Sequence, residues 1–274
     1  MSEPGDLRPP VTETPSRTVQ SLWIGDRLSR IEVLSIRSFQ AHGHDFHLYT
    51  YGPVENVPAG VVIQDANTII PERRIFRVEG SVAIFADWFR QEMLHACGGY
   101  WADLDMVCLK PLGFADPIVV GRVDPQRVSN ALMRFPPGHI VTKALADLTE
   151  APNSIVGYDS ARDRRRKLVR KYLLGNRQKH VKWGEASGPN GLTRMLKHHD
   201  LFKLAKPHFY FFPLHFSFWY CAFDHTFEEG TAFFDQSYCV HLWNEKIRRG
   251  SGVSKDGPFR RGSLVHQLMK RYRC

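Results

Sequence analysis

The sequence predicts an α/β fold, in which a mainly parallel, twisted sheet is flanked by helices and the C-terminal half of a single domain is less regular. Short apolar runs alternate with amphipathic runs through the first half of the chain, which is typical of strand–helix–strand units. Residues that start and end helices separate these runs at the expected places. An apolar content of 43% over 274 residues is enough for a substantial core.

The elements follow from these patterns in chain order. A capping box formed by Ser29 and Glu32 opens the first helix, which ends near Gly43. Strands are predicted at residues 19–24, 46–51, 61–63, 106–109, 118–120 and 131–135. Further helices are predicted at residues 81–97, 139–150 and 189–198, together with a basic helix that begins near residue 162.

Composition sets the domain limits and excludes several classes of protein. Residues 1–17 are polar and rich in proline and are expected to be disordered, residues 18–250 form the domain, and residues 251–274 form a basic C-terminal segment. No window approaches the ~18 apolar residues that span a bilayer, and the N-terminus lacks the apolar segment of a secretory signal. The five cysteines have no C-x-x-C spacing, which favours reduced thiols and a cytoplasmic location over disulfides or a zinc site.

The formal charge of +9 favours an anionic partner: a nucleic acid, a membrane surface or a phosphorylated substrate. Much of this charge lies in two clusters. The first comprises Arg162, Arg164, Arg165, Arg166, Lys167, Arg170, Lys171, Arg177 and Lys179, and the second comprises Lys246, Arg248, Arg249, Lys255, Arg260, Arg261, Lys270, Arg271 and Arg273. Apolar residues interleave with the first cluster, as in a helix that lies on anionic headgroups, although a solvated helix face fits equally well. No nucleic-acid-binding fingerprint is present, so we expect no nucleic-acid partner.

Residues 98–105, with the sequence GGYWADLD, contain the most informative pattern of the chain. They place Asp103 and Asp105 two positions apart, between a helical pattern and an apolar strand. Hard cations such as Mg²⁺ and Mn²⁺ prefer oxygen ligands, and Mg²⁺ commonly combines one or two carboxylates with substrate phosphates. On an ideal strand the two carboxylates would lie ~6–7 Å apart, so both would bind one cation directly only through a turn or a bridging water. The interleaved aromatic residues favour a partly dry site over a solvated surface turn.

The preceding helix carries Asp87 and Arg90 on the flank of its apolar stripe. Their spacing fits an i, i+3 ion pair worth a few tenths of a kcal/mol. The spacing alone favours this ion pair over the alternative, a charged couple at the edge of a pocket that binds sugar hydroxyls.

Together these residues resemble the DXD sugar-binding region of family 32 glycosyltransferases. The likeness covers the Phe85–Arg90 segment and residues 98–105. It extends to three further motifs. SLWIG at residues 21–25 is similar to that group's first strand, and SGPNGLTR at residues 187–194 is similar to a segment of α-1,4-glycosyltransferases. The third motif is VHLWN at residues 240–244. These motifs occur in the family's order over most of the chain.

The resemblance implies a role for each matching residue. Asp105 would ligate Mn²⁺ or Mg²⁺ directly, Asp103 would contact ribose or the metal through water, and His241 would be the third ligand. An imidazole suits Mn²⁺ better than Mg²⁺.

The remaining matches would bind the donor. Trp23 and Ile24 would flank the nucleotide base, and Asp87 and Arg90 would hold the donor sugar. Gly188 and Pro189 begin a helix whose amides would face the diphosphate, and Asn244 would hydrogen-bond phosphate.

The implied protein is a metal-dependent GT-A-type glycosyltransferase that retains anomeric configuration. Its donor would be UDP-galactose or UDP-N-acetylglucosamine, and its acceptor a glycan or a lipid-linked saccharide in surface polysaccharide synthesis. We expect it in the cytoplasm, peripherally attached to the inner face of the membrane. The alternatives are a GDP-mannose-using mannosyltransferase and a non-catalytic carbohydrate-binding module. No carboxylate pair is assignable as base and nucleophile.

Overall fold

A six-stranded sheet forms the centre of the computed structural model, which describes residues 17–178, 181, 184–248 and 252–274. The predicted disordered tail up to residue 16, and Lys179 and Arg249 of the basic clusters, lie outside the described residues. The strands are β1 (Val19–Trp23), β2 (Phe46–Thr50), β3 (Val62–Asp65), β4 (Gly99–Ala102), β5 (Met106–Cys108), β6 (Val119–Asp124), β7 (Arg127–Phe135) and β8 (Cys239–His241). The helices are α1 (Arg30–Ala41), α2 (Ala83–Cys97), α3 (Ile140–Glu150), α4 (Ala161–Leu173), α5 (Pro189–His198), α6 (His208–Phe211), α7 (Asn244–Arg248) and α8 (Leu264–Arg271).

The strand order in the central sheet is β3-β2-β1-β4-β7-β6. The first four strands pair in parallel, β7 runs antiparallel to β4, and β6 runs antiparallel to β7. Five of the six strands therefore share one direction, and the predicted α/β class with a mainly parallel sheet flanked by helices is confirmed.

Helices cover both faces of this sheet. Apolar residues of α2, α3 and α5 pack with Leu22, Trp101 and Met133 on one face. The other face, which includes Tyr100 and Leu132, packs against α1 and α6. Because successive side chains of a strand point to opposite faces, Tyr100 and Trp101 of β4 enter different layers. Among the described residues, no helix is both long enough and apolar enough to cross a bilayer.

Three elements differ from the sequence prediction. β4 begins at Gly99, where the glycines favoured a turn, because β1 and β7 supply hydrogen-bonding partners on both sides. β5 was predicted as a buried strand, and it pairs with β8 in a separate two-stranded antiparallel sheet. The basic C-terminal segment contains α8, whose Leu264, Val265 and Leu268 are buried.

Candidate active site

The site lies at the carboxyl-terminal edge of β1 and β4. These strands are parallel neighbours, and Val19 lies opposite Tyr100 in their register. Trp23, which ends β1, and the acidic turn that follows β4 therefore emerge at the same edge of the sheet. Ligands of open α/β sheets bind at this edge.

A tight turn carries both aspartates from β4 into β5. The backbone N–H of Asp103 donates to the carbonyl of Ala131 (2.7 Å), and that of Met106 donates to the carbonyl of Asp103 (2.9 Å). The turn replaces the ideal strand geometry, in which the two carboxylates would lie well apart. Both aspartates therefore reach the same small volume.

His241 reaches that volume from the other end of the sequence. In the β5–β8 pair, Met106 lies opposite His241, and the N–H of Leu242 donates to the carbonyl of Asp105 (2.9 Å). The His241 Nε2 atom lies 3.1 Å from Asp105 Oδ1. One ligand atom from each of Asp103, Asp105 and His241 lies within 4.8 Å of the other two.

Trp243 and Asn244 complete the surroundings of Asp105. Trp243 has a φ of 57°, a left-handed conformation that costs a bulky residue free energy. The resulting turn aims the backbone N–H of Asn244 at Asp105 Oδ2, at 2.7 Å. Asp105 is thus held on one oxygen by an amide and on the other by an imidazole.

The two aspartates differ in acidity. Burial would raise the pKa of Asp105, but His241, the Asn244 amide and Lys255 together hold the pKa below its usual range. For Asp103, burial dominates and raises the pKa, although Arg90 opposes this effect and the negative charge of Asp105 reinforces it. A divalent cation between them would relieve the repulsion between two ionised carboxylates.

Three observations support the fit of a divalent cation. The donors are two carboxylate oxygens and an imidazole nitrogen, a set that suits Mn²⁺ and that Mg²⁺ accepts less readily. Ligands about 2.0–2.6 Å from an ion lie at most about 4–5 Å apart, so a spacing within 4.8 Å needs only small side-chain adjustments. Asp103 accepts its hydrogen bonds on Oδ1, and no described residue bonds its Oδ2.

Arg90 links this cluster to α2. Its Nη2 atom donates to Asp103 Oδ1 at 2.6 Å, its Nη1 donates to the carbonyl of Asn130 at 2.6 Å, and Nη1 lies 3.4 Å from Asp87 Oδ1. Trp101 Nε1 also donates to Asp103 Oδ1, at 2.7 Å. The i, i+3 pair therefore extends into a buried network between two carboxylates, and Arg90 is only 4% exposed.

Burial also perturbs the acidity of Asp87, the other carboxyl of this network. Burial raises its pKa to about 6, against the opposing effects of Arg90 and of the hydrogen bond from Asn130. The unfolded chain releases this proton near pH 4, whereas the folded chain keeps it until about pH 6. The contribution of Asp87 to stability is therefore complete below pH 4 and is lost as the pH rises through 6.

We expect Asp87→Asn to remove that pH dependence. The pKa shift of Asp87 from 3.8 to about 6 corresponds to roughly 3 kcal/mol. Between pH 4 and pH 7, the free energy of unfolding of the wild type should fall by this amount relative to that of the variant. Urea denaturation of both proteins at several pH values in EDTA measures the difference. A constant difference across this range would contradict the assignment.

Gly188 brings α5 against the same network. A Cβ atom at this position would lie 3.0 Å from Asp87 Oδ2 and 2.6 Å from the Cα of Gly184. The N-terminus of α5, which Pro189 opens, therefore lies beside a carboxylate of the chain itself.

We expect Gly188→Ala to destabilise the fold by about 1–3 kcal/mol, because the added methyl group overpacks this contact. Gly52→Ala is the matched control, since a Cβ at Gly52 would meet nothing within 4 Å and its φ is not left-handed. Chemical denaturation compares the two variants. Equal stabilities would mean that Gly188 is not tightly packed against Asp87.

Sequence reasoning missed Glu32 and Lys255 as members of the site. Glu32 accepts a hydrogen bond from the N–H of Ser29 (2.9 Å), which confirms the predicted capping box. It also accepts one from Asn244 Nδ2 (2.9 Å) and forms an ion pair with Lys255. The Nζ of Lys255 lies 5.4 Å from the ring centroid of Trp23. The sequence pattern identified Glu32 only as a residue at the start of a helix, and Lys255 only as a member of a basic cluster.

Four polar atoms of the candidate site are buried without a hydrogen-bonding partner among the described residues: Trp23 Nε1, Arg90 Nε, His241 Nδ1 and Asn244 Oδ1. Buried polar atoms are normally satisfied, so such atoms in one region are typical of a ligand site. The Asn244 amide nitrogen is committed to Glu32. Ile24 is partly buried and packs against the apolar core beside Trp23.

The aromatic segment after α6 lies against His241. The ring of His241 lies 3.9 Å from that of Trp243 and 5.8 Å from that of Phe212, measured between centroids. Phe212 is buried, whereas Phe218 and Tyr220 are 54% and 47% exposed. The segment thus contributes both to the core and to an exposed aromatic surface.

No protein-family model matches this chain, and no curated protein sequence is similar to it. The resemblance to family 32 therefore stays a prediction. Among solved structures, the chain is similar to the PaToxG glycosyltransferase, with 17% identity, a TM-score of 0.46, and coverage of 68% of this chain and 69% of the other. It is also similar to an active-site mutant of LgtC, with 12% identity, a TM-score of 0.35, and coverage of 67% and 95%. A third similar structure is the apo form of the glycosyltransferase GlyE of Streptococcus pneumoniae TIGR4, with 12% identity, a TM-score of 0.37, and coverage of 94% and 60%.

Proposed function

We propose that this protein is a metal-dependent retaining glycosyltransferase that moves a hexose from a nucleotide diphosphate sugar to a hydroxyl group of a glycan or glycolipid. One observation carries the proposal. Asp103, Asp105 and His241 come from two distant parts of the chain and converge within 4.8 Å at the ligand-binding edge of the sheet. Either UDP-galactose or UDP-N-acetylglucosamine is the proposed donor.

Different residues around this cluster would bind different parts of the donor. Asp105 and His241 would hold Mn²⁺ or Mg²⁺, with Asp103 joining directly or through water. When bound, the cation supplies positive charge that neutralises the departing diphosphate. Arg90 fixes the position of Asp103 through its 2.6 Å contact. With Asp87, it would also hold hydroxyl groups of the donor sugar.

The nucleotide end of the donor would lie towards Trp23. The Lys255 ammonium lies over the ring of Trp23 and pairs with Glu32. It therefore places an ammonium group, paired with Glu32, between the proposed base and diphosphate positions. Gly188 and Pro189, at the N-terminus of α5 beside Asp87, would border the donor sugar. The side-chain nitrogen of Asn244 would hydrogen-bond phosphate once it turns away from Glu32.

Retention of configuration would proceed without a protein nucleophile. Asp87, Asp103, Asp105 and Glu32 each accept a hydrogen bond or ion pair from another side chain of the chain. A front-face displacement would then use the leaving phosphate to deprotonate the acceptor. A variant of Asp87 or Glu32, which are not proposed metal ligands, that abolishes transfer but keeps donor affinity and fold would contradict this part of the proposal.

A donor screen tests the proposed function. Hydrolysis of UDP-galactose, UDP-N-acetylglucosamine and GDP-mannose is measured with Mn²⁺, with Mg²⁺ and with EDTA. We expect metal-dependent hydrolysis of a UDP-sugar that the Asp103→Ala/Asp105→Ala variant lacks. Preference for GDP-mannose would identify the mannosyltransferase alternative. Nucleotide binding without turnover of any donor would favour a non-catalytic module.

An anionic membrane surface is the proposed location of the acceptor. No residue of α4 is buried, and its apolar side chains Leu168, Val169, Tyr172 and Leu173 are 42–77% exposed. When the helix is projected at about 100° per residue, Arg162 and Arg165 lie among these apolar side chains, and Arg164 and Lys171 lie beside them. An exposed helix face that combines apolar side chains with cations is typical of helices that lie on anionic headgroups.

We expect Leu168→Ser/Tyr172→Ser to lower binding to phosphatidylglycerol vesicles by tenfold or more, because each buried apolar side chain contributes about 1.5–3 kcal/mol. Co-sedimentation measures the change. Val62→Ser/Ile63→Ser is the matched control, since these residues are 44% and 52% exposed on the edge strand β3. Unchanged vesicle binding of the α4 variant would exclude this surface.

A further inference from the structure

A pocket lies on the inner side of α4, between that helix, α5 and the segment that follows α3. Its empty volume is about 530 Å³, including the mouth that opens to solvent. Four cationic side chains line it: Arg166, Lys167, Arg170 and Arg194. Asp159 and Glu185 are its acidic lining residues. The lining therefore has an excess of two positive charges.

Two of these cations are neutralised within the fold. The Nζ of Lys167 lies 2.7 Å from Asp159 Oδ2. Arg166 pairs with Asp163 at 3.0 Å and approaches Glu185 at 3.8 Å. These ion pairs fix the inner wall of the pocket.

Arg170 and Arg194 are the other two, and neither side chain has an ion pair or hydrogen bond with a described residue. Both side chains are partly buried, so their charges are not simply dispersed in solvent. The guanidinium of Arg194 lies 5.6 Å from the ring centroid of Tyr158, which holds it at the pocket wall.

Arg166 provides an independent indication of a ligand. Its Nε atom is buried and has no hydrogen-bonding partner among the described residues. A buried guanidinium N–H is a strong donor, and leaving it unpaired costs free energy unless a ligand or water satisfies it. An oxyanion is the natural acceptor, since guanidinium groups match the geometry of phosphate oxygens.

The pocket is close to the candidate active site. Glu185 and Ala186 line it, and Gly188, only three residues after Glu185, contacts Asp87. Three residues of extended chain span at most about 11 Å. The backbone of Glu185 at the pocket wall therefore lies within about 11 Å of that of Gly188 beside Asp87.

We propose that this pocket binds a phosphate group carried by the acceptor, through Arg170, Arg194 and the free N–H of Arg166. Phosphate binding itself is independent of the proposed sugar transfer, and only its assignment to the acceptor rests on that function. The phosphate has two candidate sources: a soluble phosphorylated saccharide and the headgroup region of a lipid-linked saccharide.

The test uses inorganic pyrophosphate as the probe, measured by calorimetry on the full chain in EDTA. The Asp103→Asn/Asp105→Asn background is used throughout, so that the metal site does not contribute. We expect Arg170→Gln/Arg194→Gln to weaken binding at least tenfold. Arg162→Gln/Arg165→Gln removes two charges from exposed positions of the same helix and should change affinity less than twofold. Equal losses in the two double variants, or no binding in the background, would overturn the proposal.

A second experiment distinguishes the two candidate sources of the phosphate, a soluble phosphorylated saccharide and a lipid headgroup. Binding of the same variants to glucose 6-phosphate and to vesicles containing 20% phosphatidic acid is compared. Loss of both kinds of binding in Arg170→Gln/Arg194→Gln supports a lipid phosphate, and loss of glucose 6-phosphate binding alone supports a phosphorylated saccharide. Loss of vesicle binding with full retention of both soluble phosphates contradicts the pocket. Because no arm requires turnover or a metal, these results are distinguishable from a failure of the proposed transfer.

Discussion

Asp105→Asn is expected to reduce sugar transfer on the order of a hundredfold or more, while the protein stays folded. The substitution removes the charge of the proposed direct ligand, and with it most of the stabilisation of the leaving diphosphate. The asparagine carbonyl can still accept the hydrogen bond from the Asn244 amide, which is 2.7 Å in the wild type. Transfer or donor hydrolysis at saturating Mn²⁺, together with a thermal melt, measures both effects.

Asp116→Asn is the control for the loss of one carboxylate charge. Asp116 lies away from the cluster, is 46% exposed and pairs with Lys206 at 2.8 Å. We expect its activity to stay within twofold of the wild type. If Asp105→Asn keeps normal metal-dependent activity, or if both variants lose activity equally, Asp105 does not have the proposed role.

Arg90→Met is expected to destabilise the fold by roughly 3–5 kcal/mol, because it leaves the carboxylates of Asp87 and Asp103 without their shared cation. The substitution removes the 2.6 Å hydrogen bond to Asp103 and the 3.4 Å ion pair with Asp87. Methionine preserves most of the buried apolar stem. The effect should therefore report on charge more than on packing.

The destabilisation should depend on pH in a defined direction. Burial already raises the pKa of Asp87 to about 6, and removing Arg90 would raise the pKa of both carboxyls further. Both groups would then stay protonated in the folded variant to higher pH, so that its stability falls as the pH rises above 4. Urea denaturation at pH 5 and pH 7.5 in EDTA should show the larger deficit at pH 7.5.

Arg74→Met provides the matched comparison. Arg74 pairs with Glu150 at 2.7 Å, but both side chains are more than 40% exposed, so its substitution should cost less than about 1 kcal/mol. A deficit for Arg90→Met of similar size, or one that is larger at pH 5, would contradict the network described above.

The acidic turn was predictable because its signals are local. Glycines, two aspartates and an apolar run within residues 98–109 place a helix end, a turn and a strand in order. The alternation of strands and helices likewise predicted a mainly parallel sheet that begins with β1, although β4 itself was not predicted. Since parallel strands end at one edge, it follows that Trp23 and the aspartates share that edge.

The rest of the site depends on contacts between distant residues, which leave no local pattern. Met106 pairs with His241 across 135 residues, and this register determines how His241 meets Asp105. Glu32 had a complete local explanation as a capping residue, so nothing in its pattern indicated a contact with Asn244 and Lys255. The burial of Arg90 was also hidden, because its spacing from Asp87 is equally typical of a surface ion pair.

Anomalous X-ray diffraction from crystals grown with Mn²⁺ and UDP tests the central claim most directly. The proposed site predicts one manganese peak within about 2.5 Å of an Asp105 oxygen and of His241 Nε2, with a diphosphate oxygen completing the coordination. A nucleotide bound elsewhere, or a manganese peak that none of Asp103, Asp105 and His241 touches, would contradict it.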